Sequence, residues 1–251
     1  MSFAGGDGLP LRPDTGRRPV APTRSWNPIT GCPHRCSYCW AMKLIEGRLR
    51  DSPKYRNGFE PTFHPEELLR ARFRPGDTVF VVDMGDMFSD AVPSEWVLSV
   101  LRRLRDFPGV RFMFLTKNPS RYLEFLDAFP RGSVLGATIE TNRDDLAASV
   151  SRAPPPSRRY ESMVELRWPR KYVSVEPVMD FDLGVLTSWL REISPVTVHV
   201  GYDNWGSRLP EPPLAKVMKL VSAVREFSAV TVGSLREPWY ERAFRSRHLP
   251  H

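Results

Sequence analysis

The chain has 251 residues, 41% of them hydrophobic and 26% charged, with a formal net charge of +7. That length supports a sizeable core, and the lack of any apolar run of about 18 residues excludes a membrane-spanning helix. The first residues are rich in Gly, Pro and Arg without an apolar h-region, so no secretory leader is expected and the cytoplasm is the expected compartment.

In chain order, residues 1–24 carry no apolar periodicity. Gly5, Gly6, Gly8, Pro10 and Pro13 open an irregular arm that Arg12, Arg17, Arg18 and Arg24 make basic. Contact with a polyanion and simple surface packing are both open for this arm. From residue 25 apolar runs alternate with amphipathic stretches, and 25–251 reads as a single domain. Residues 78–82 predict a short buried strand. Residues 95–105 follow, with Trp96, Val97, Val100, Leu101 and Leu104 on one helical face. Residues 110–115 predict the next strand, and Asn118-Pro119 the start of a helix carried by Tyr122, Leu123, Phe125 and Leu126. Residues 134–139 are strand-like, and Tyr160, Met163, Val164 and Leu166 mark a helix after Pro154-Pro155-Pro156. Strands over 172–175, 196–200 and 229–232 complete the series, with helical stripes through Leu186 and Leu190 and through Val217 and Val221 between them. Strands alternating with helices indicate βαβ units and a parallel sheet. Six or seven short units predict an α/β fold, a partial or near-complete parallel (β/α) TIM-like barrel, with an open doubly wound sheet as the other solution. In either, the functional site lies at the carboxyl ends of the strands.

Only three cysteines occur, all within eight residues, as Cys32-x3-Cys36-x2-Cys39 before a helix predicted over 38–50. An odd, clustered set argues against a disulfide framework. Thiolates are the usual ligands of iron–sulfur clusters. Three of them can hold three irons of a cubane and leave the fourth without a protein ligand, and an open coordination position marks a catalytic metal. The competing assignment is zinc, with His34 or His64 as fourth ligand, although zinc modules usually pair two short knuckles and one is present.

The spacing, with Tyr38 just before the last cysteine, resembles the signature of the radical S-adenosylmethionine (SAM) superfamily. Three segments resemble its phage-type branch: Trp26-Asn27-Pro28-Ile29-Thr30-Gly31 before Cys32, then Asp86-Met87-Phe88, then Leu115-Thr116-Lys117-Asn118-Pro119. The spore photoproduct lyases, which repair a thymine lesion in DNA, are a more distant likeness. The resemblance implies a full or partial α/β barrel as radical SAM core, a [4Fe-4S] cluster on Cys32, Cys36 and Cys39, and SAM on its open iron. It further implies reductive cleavage to a 5′-deoxyadenosyl radical and an external flavodoxin- or ferredoxin-like electron donor. A Gly-Gly-Glu-like segment holds the SAM amino group in such enzymes; Gly85-Asp86 stands here instead, and Asp86 as the cap of a helix over 87–91 is the competing reading. Lys117 is the expected partner of the SAM carboxylate. Thr138, Glu140 and Asn142 resemble ribose-binding groups, with Thr141 or Asn142 as a helix cap the alternative. Ser174 and Glu176 share one face, so Glu176 inside a barrel needs a SAM, substrate or Arg partner. Gly201-Tyr202-Asp203-Asn204-Trp205 offers substrate contacts or a packed turn. Glu176, Tyr202 and Asp203 are therefore the candidates for catalytic contacts. Nucleic acid is the leading substrate class, on the basic balance, on Trp205 and Trp239, and on the photoproduct-lyase likeness. A zinc-stabilised nucleic-acid-binding protein without catalysis is the alternative function.

Overall fold

A computed structural model describes residues 20–241. Its strands are β1 (Arg24–Trp26), β2 (Ile29–Thr30), β3 (Thr62–Phe63), β4 (Thr78–Val81), β5 (Arg111–Thr116), β6 (Val134–Thr138), β7 (Lys171–Val175), β8 (Thr197–Val200) and β9 (Ala229–Val232). Its helices are α1 (Trp40–Glu46), α2 (Pro65–Arg70), α3 (Ser94–Leu104), α4 (Asp144–Ala148), α5 (Pro156–Glu165), α6 (Leu183–Ile193) and α7 (Leu214–Arg225), with a 3-10 segment at Pro119–Ala128. Seven strands pair in parallel in the order β1-β4-β5-β6-β7-β8-β9, which is also chain order, while β2 and β3 form a small antiparallel pair. The sheet curls into a half-barrel with helices against it. Strand β1 lies at one edge and β9 at the other.

The two faces of the sheet follow from period-2 alternation. Val79, Val81, Phe112, Phe114, Val173, Val175, Val198 and Val200 point toward the helices and join Val97, Leu101, Leu186, Leu190, Val217 and Val221 in the main core. Each such fully buried side chain contributes about 1.5–3 kcal/mol. The opposite faces line the lumen. Its floor is apolar, with Met113, Val134 and Tyr172 packed beside Phe80 and Leu115. Val20 seals that floor, and its amide donates to Thr197 Oγ1 at 3.1 Å. Further along the same faces the residues turn polar, which places the chemistry at the carboxyl ends of the strands.

Several expectations shift at their edges. The arm expected over 1–24 lies outside the described residues except for 20–24, and Arg24 opens β1 rather than ending the arm. Strand β1, the β2–β3 pair, α2 and α4 were not foreseen; each is two to six residues long, too short for a periodic signal. The helix expected over 38–50 is limited to α1, capped by Cys39, whose Sγ accepts from the Met42 amide at 3.4 Å. No helix follows Asp86: residues 87–92 are turns and bends, so a cap role for a helix over 87–91 is ruled out. Asn118 does not cap the segment after it; its amide instead donates to Phe88 O and Asp90.

The cysteine loop is stitched to the end of β4 by two glycines. Gly31 and Gly85 form an isolated parallel bridge; the Gly31 amide donates to Met84 O at 2.9 Å and the Asp86 amide to Gly31 O at 3.2 Å. Gly31 has φ +84°, and a Cβ there would stand 2.3 Å from Glu60 O, while one on Gly85 would stand 2.5 Å from Gly31 O. Both close approaches therefore require glycine. Gly31→Ala is expected to destabilise the fold by about 3 kcal/mol, read as a lowered urea midpoint, because the strained φ and the clash add.

Candidate functional site

The three cysteines are free thiols at the mouth of the half-barrel, in the loop between β2 and α1. Cys36 is buried with Tyr38, Met179 and Leu209, and its Sγ lies 3.1 Å from Ser151 Oγ. Burial, then Asp86, push the Cys32 thiol well up, and Cys36 and Cys39 add to this. Among the described residues, only Cys32, His34 and Asp86 bring three donor atoms of this kind within 4.8 Å of one another. The three sulfurs do not share such a cluster. A single tetrahedral ion needs its ligands converged on one point, whereas a cubane puts each thiolate on a different iron and so spaces them more widely. The donor set therefore fits a three-thiolate cubane. His64, one of the two expected fourth ligands for zinc, is bonded to Thr30 Oγ1 at 2.8 Å. His34 Nδ1 is buried without a hydrogen-bond partner, 3.4 Å from Asp86 Oδ2, and burial lowers its pKa and keeps the ring neutral.

Asp86 accepts from Thr116 Oγ1 at 2.7 Å, from the Lys117 amide at 2.9 Å and from the Phe88 amide at 3.0 Å. Phe88 fixes this turn: it is 1% exposed and packs edge-on against Tyr122 at 4.6 Å. Beside it sits Glu140, fully buried at the end of β6. Its Oε1 accepts from the Tyr38 hydroxyl at 2.7 Å and from Lys117 Nζ at 3.0 Å, and its Oε2 from Arg159 Nη1 at 2.6 Å. Burial alone would raise the Glu140 pKa, but Arg159, Lys117 and the Tyr38 hydrogen bond outweigh it and hold the carboxyl well below the usual range. Lys117 Nζ also lies 5.3 Å from the Tyr38 ring centroid. Three residues expected as SAM neighbours, Tyr38, Lys117 and Glu140, thus join Arg159 in one ionic cluster under the cysteine loop.

The remaining polar positions divide. Thr138 is buried, and its carbonyl accepts from Arg159 Nη1. Thr141 and Asn142 cap no helix; they tie the end of β6 to residues 180–182, through Thr141 Oγ1 to Asp180 O at 2.6 Å and the Asp182 amide to Asn142 Oδ1 at 2.7 Å. Ser174 is buried on the lumen face of β7. Among the described residues Glu176 pairs with no Arg; its partner is His199, with Glu176 Oε2 2.9 Å from His199 Nε2.

The segment after β8 crosses the mouth. Asp203 shapes it, accepting from the Trp205 and Ser207 amides at 3.1 and 2.6 Å. Ser207 Oγ accepts from Lys43 Nζ of α1 at 2.8 Å, and Leu209 packs beside Cys36 and Tyr38. Tyr202 is fully buried, with its hydroxyl bonded to Pro212 O at 2.9 Å. Behind the segment, Arg236 donates to both oxygens of buried Glu211 and to Asp203 O. A cavity of about 270 Å³ lies between them, lined by Asn204, Arg208, Arg236 and Trp239 among others. Arg159, His199, Lys43 and Arg236 were not singled out from the sequence. The signals were present for two of them: Arg159 falls on the Pro156–Met163 buried stripe of α5, and His199 alternates with the buried Val198 and Val200.

By structure, the chain is similar to a cysteine-to-alanine variant of spore photoproduct lyase with a dinucleoside spore photoproduct (TM-score 0.55, 11% identity, 81% of this chain and 61% of that one). A point variant of that lyase gives TM-score 0.58 at 10% identity, covering 84% and 76%. Streptococcus suis SuiB bound to S-adenosylmethionine gives 0.53 at 11% identity, covering 85% of this chain and 51% of SuiB. The chain thus spans 61% of the first of these proteins and 51% of SuiB. At these identities the likeness is one of fold, and the shared fold is a partial TIM-like barrel. A sequence comparison with curated proteins finds no match. Residues 22–195 match a family model, and the chain belongs to that family, described as a protein of unknown function, DUF5131.

Proposed function

We propose that this protein is a radical SAM enzyme, and that within the superfamily it falls in the phage-type branch. The observation that carries the reading is the placement of three free thiols at the carboxyl mouth of an all-parallel half-barrel, where they do not all lie within 4.8 Å of one another. The similarity in fold to proteins of that superfamily supports it. Cys32, Cys36 and Cys39 would hold a [4Fe-4S] cluster. Gly85, Asp86, Lys117, Thr138, Glu140, Asn142 and Ser174, with Tyr38, are the groups we assign to the surroundings of SAM. When bound, the cluster and SAM supply a 5′-deoxyadenosyl radical that abstracts hydrogen from substrate.

The chain's own residues prepare the site. Gly31 and Gly85 fix the cysteine loop on the sheet. Tyr38, Lys117 and Arg159 hold Glu140 ionised, so the wall beneath the loop carries a fixed charge pattern that needs no reorganisation. The segment at 203–209 reaches α1 through Ser207 and Lys43 and limits water at the mouth.

Nucleic acid or a nucleotide is the substrate class we favour, on the net charge of +7. An external flavodoxin- or ferredoxin-like protein is the electron donor we assign. No helix among the described residues is long and apolar enough to cross a membrane; three free thiols suit the cytoplasm, which is the compartment we assign. We treat 25–251 as one domain. Anaerobic purification is expected to give brown protein with about four irons per chain, and dithionite with SAM is expected to yield 5′-deoxyadenosine and methionine. Colourless protein with one zinc and no cleavage would overturn the reading.

A further inference from the structure

The half-barrel carries a second polar group that the cluster reading leaves unused. Glu176 follows β7, His199 lies on β8 and Thr231 on β9. His199 Nε2 stands 2.9 Å from Glu176 Oε2, and His199 Nδ1 stands 2.9 Å from Thr231 Oγ1. The three sit on the lumen side, because Val173, Val175, Val198 and Val200, which alternate with them, point into the helical core. The cysteine loop follows β2 and is bridged to the end of β4, and the Asp86–Glu140 cluster lies at the ends of β4–β6. The lumen therefore has two polar regions: one holds the thiols with Asp86, Lys117 and the cation-paired Glu140, and the other holds Glu176 with His199 and Thr231.

That carboxylate is incompletely paired. Its side chain is 32% exposed and that of His199 21%. Among the described residues no Lys or Arg forms an ion pair with Glu176, and only Oε2 has a hydrogen-bond partner. Oε1 is left as an open acceptor. Two glycines preserve the space around it: a Cβ on Gly201 would stand 2.6 Å from Oε1, and one on Gly233 would stand 3.0 Å from Oε1 and 3.0 Å from His199 Nε2. A partly desolvated carboxylate without a cation is costly unless a ligand completes it. A phosphate would add like charge. A donor-rich N–H edge would supply both hydrogen bonds and positive potential.

We propose that Glu176 is a substrate-recognition residue for a planar N–H donor edge of the guanidine or amidine type, with His199 as a positioning residue that turns Oε1 into the lumen. The proposal rests on the reading of the lumen as the active site and names the chemistry its β7–β9 half would take. Guanosine, which carries a ring N–H beside an exocyclic amine, is one source of such an edge; an arginine side chain is the other.

The test is calorimetric or NMR titration of the anaerobically purified full chain with guanosine, inosine and N-acetylarginine amide, with iron content recorded on each sample. Saturable binding of guanosine or of the arginine derivative is expected, and which of them binds identifies the source. Inosine, lacking the exocyclic amine, is expected to bind at least tenfold more weakly than guanosine if the source is a nucleobase. Glu176→Gln is expected to weaken binding at least tenfold, and Gly201→Ala to do the same by pushing on Oε1. His199→Gln is expected to retain binding and His199→Leu to lose it, a split that a purely structural role would not produce. Absence of binding by both donor probes, or binding that Glu176→Gln and Gly201→Ala leave unchanged, would overturn the proposal. Iron content reports separately on the cluster, so loss of one reading is distinguishable from loss of the other.

Discussion

Cys36→Ala is expected to strip iron from the protein, from about four atoms per chain to less than about one, with no 5′-deoxyadenosine formed. The fold is expected to survive. Cys36 packs in a small satellite cluster with Tyr38, Ala147, Met179 and Leu209 rather than in the main core, so truncation costs about 1 kcal/mol. His34→Ala separates the three-cysteine cluster from a single ion at the Cys32–His34–Asp86 group. A single ion held by Cys32, His34 and Asp86, the set whose donors converge within 4.8 Å, would tolerate loss of Cys36 and fail without His34. A cubane on three cysteines gives the reverse pattern. Metal analysis of the two variants after anaerobic purification, beside far-UV circular dichroism, decides between them. Retention of metal in Cys36→Ala with loss in His34→Ala would remove the cluster from the account.

The sequence made some of this legible for a physical reason. The strands of an all-parallel sheet are buried on the helix side, so runs such as Val79–Val81 and Val198–Val200 stand out as apolar, and six of the seven sheet strands were found within two residues. Strand β1 escaped because its three residues, Arg-Ser-Trp, carry one buried side chain, and its pairing with β4 is what defines it. The cysteine spacing is local and survives without any knowledge of the fold. The partners of Glu140 are not local: Arg159 comes from nineteen residues away and Tyr38 from 102. Their meeting depends on the crossover from β6 through α5, which no periodicity encodes. Glu176 illustrates the same limit from the other side. Alternation places it on the inner face, where SAM, substrate or an Arg is the expected partner; among the described residues its partner is His199, which stands in register with Ser174 rather than with Glu176.

Arg159→Met is expected to cost about 3–5 kcal/mol of stability, because it leaves the fully buried Glu140 with Lys117 and the Tyr38 phenol as its side-chain partners among the described residues. Urea unfolding at neutral pH reads the loss directly. Glu140→Gln tests the same cluster through its pH dependence. The folded-state pKa of Glu140 is depressed, so its contribution is complete above the ordinary glutamate value near 4.3 and is lost as pH falls below that toward the folded value. Wild-type protein should therefore lose urea resistance from about pH 4 downward in proportion to the one extra proton taken up on unfolding, the folded state being the reluctant binder. In Glu140→Gln that acid limb should be shallower, while stability at pH 7 falls because the amide cannot match the charge of Lys117 and Arg159. Combining Arg159→Met with Glu140→Leu should recover part of the loss, since removing both charges leaves less uncompensated than removing one. An Arg159→Met variant as stable as wild type, with an unchanged acid limb in Glu140→Gln, would mean that the ionic cluster beneath the cysteine loop is not what holds the mouth of this half-barrel together.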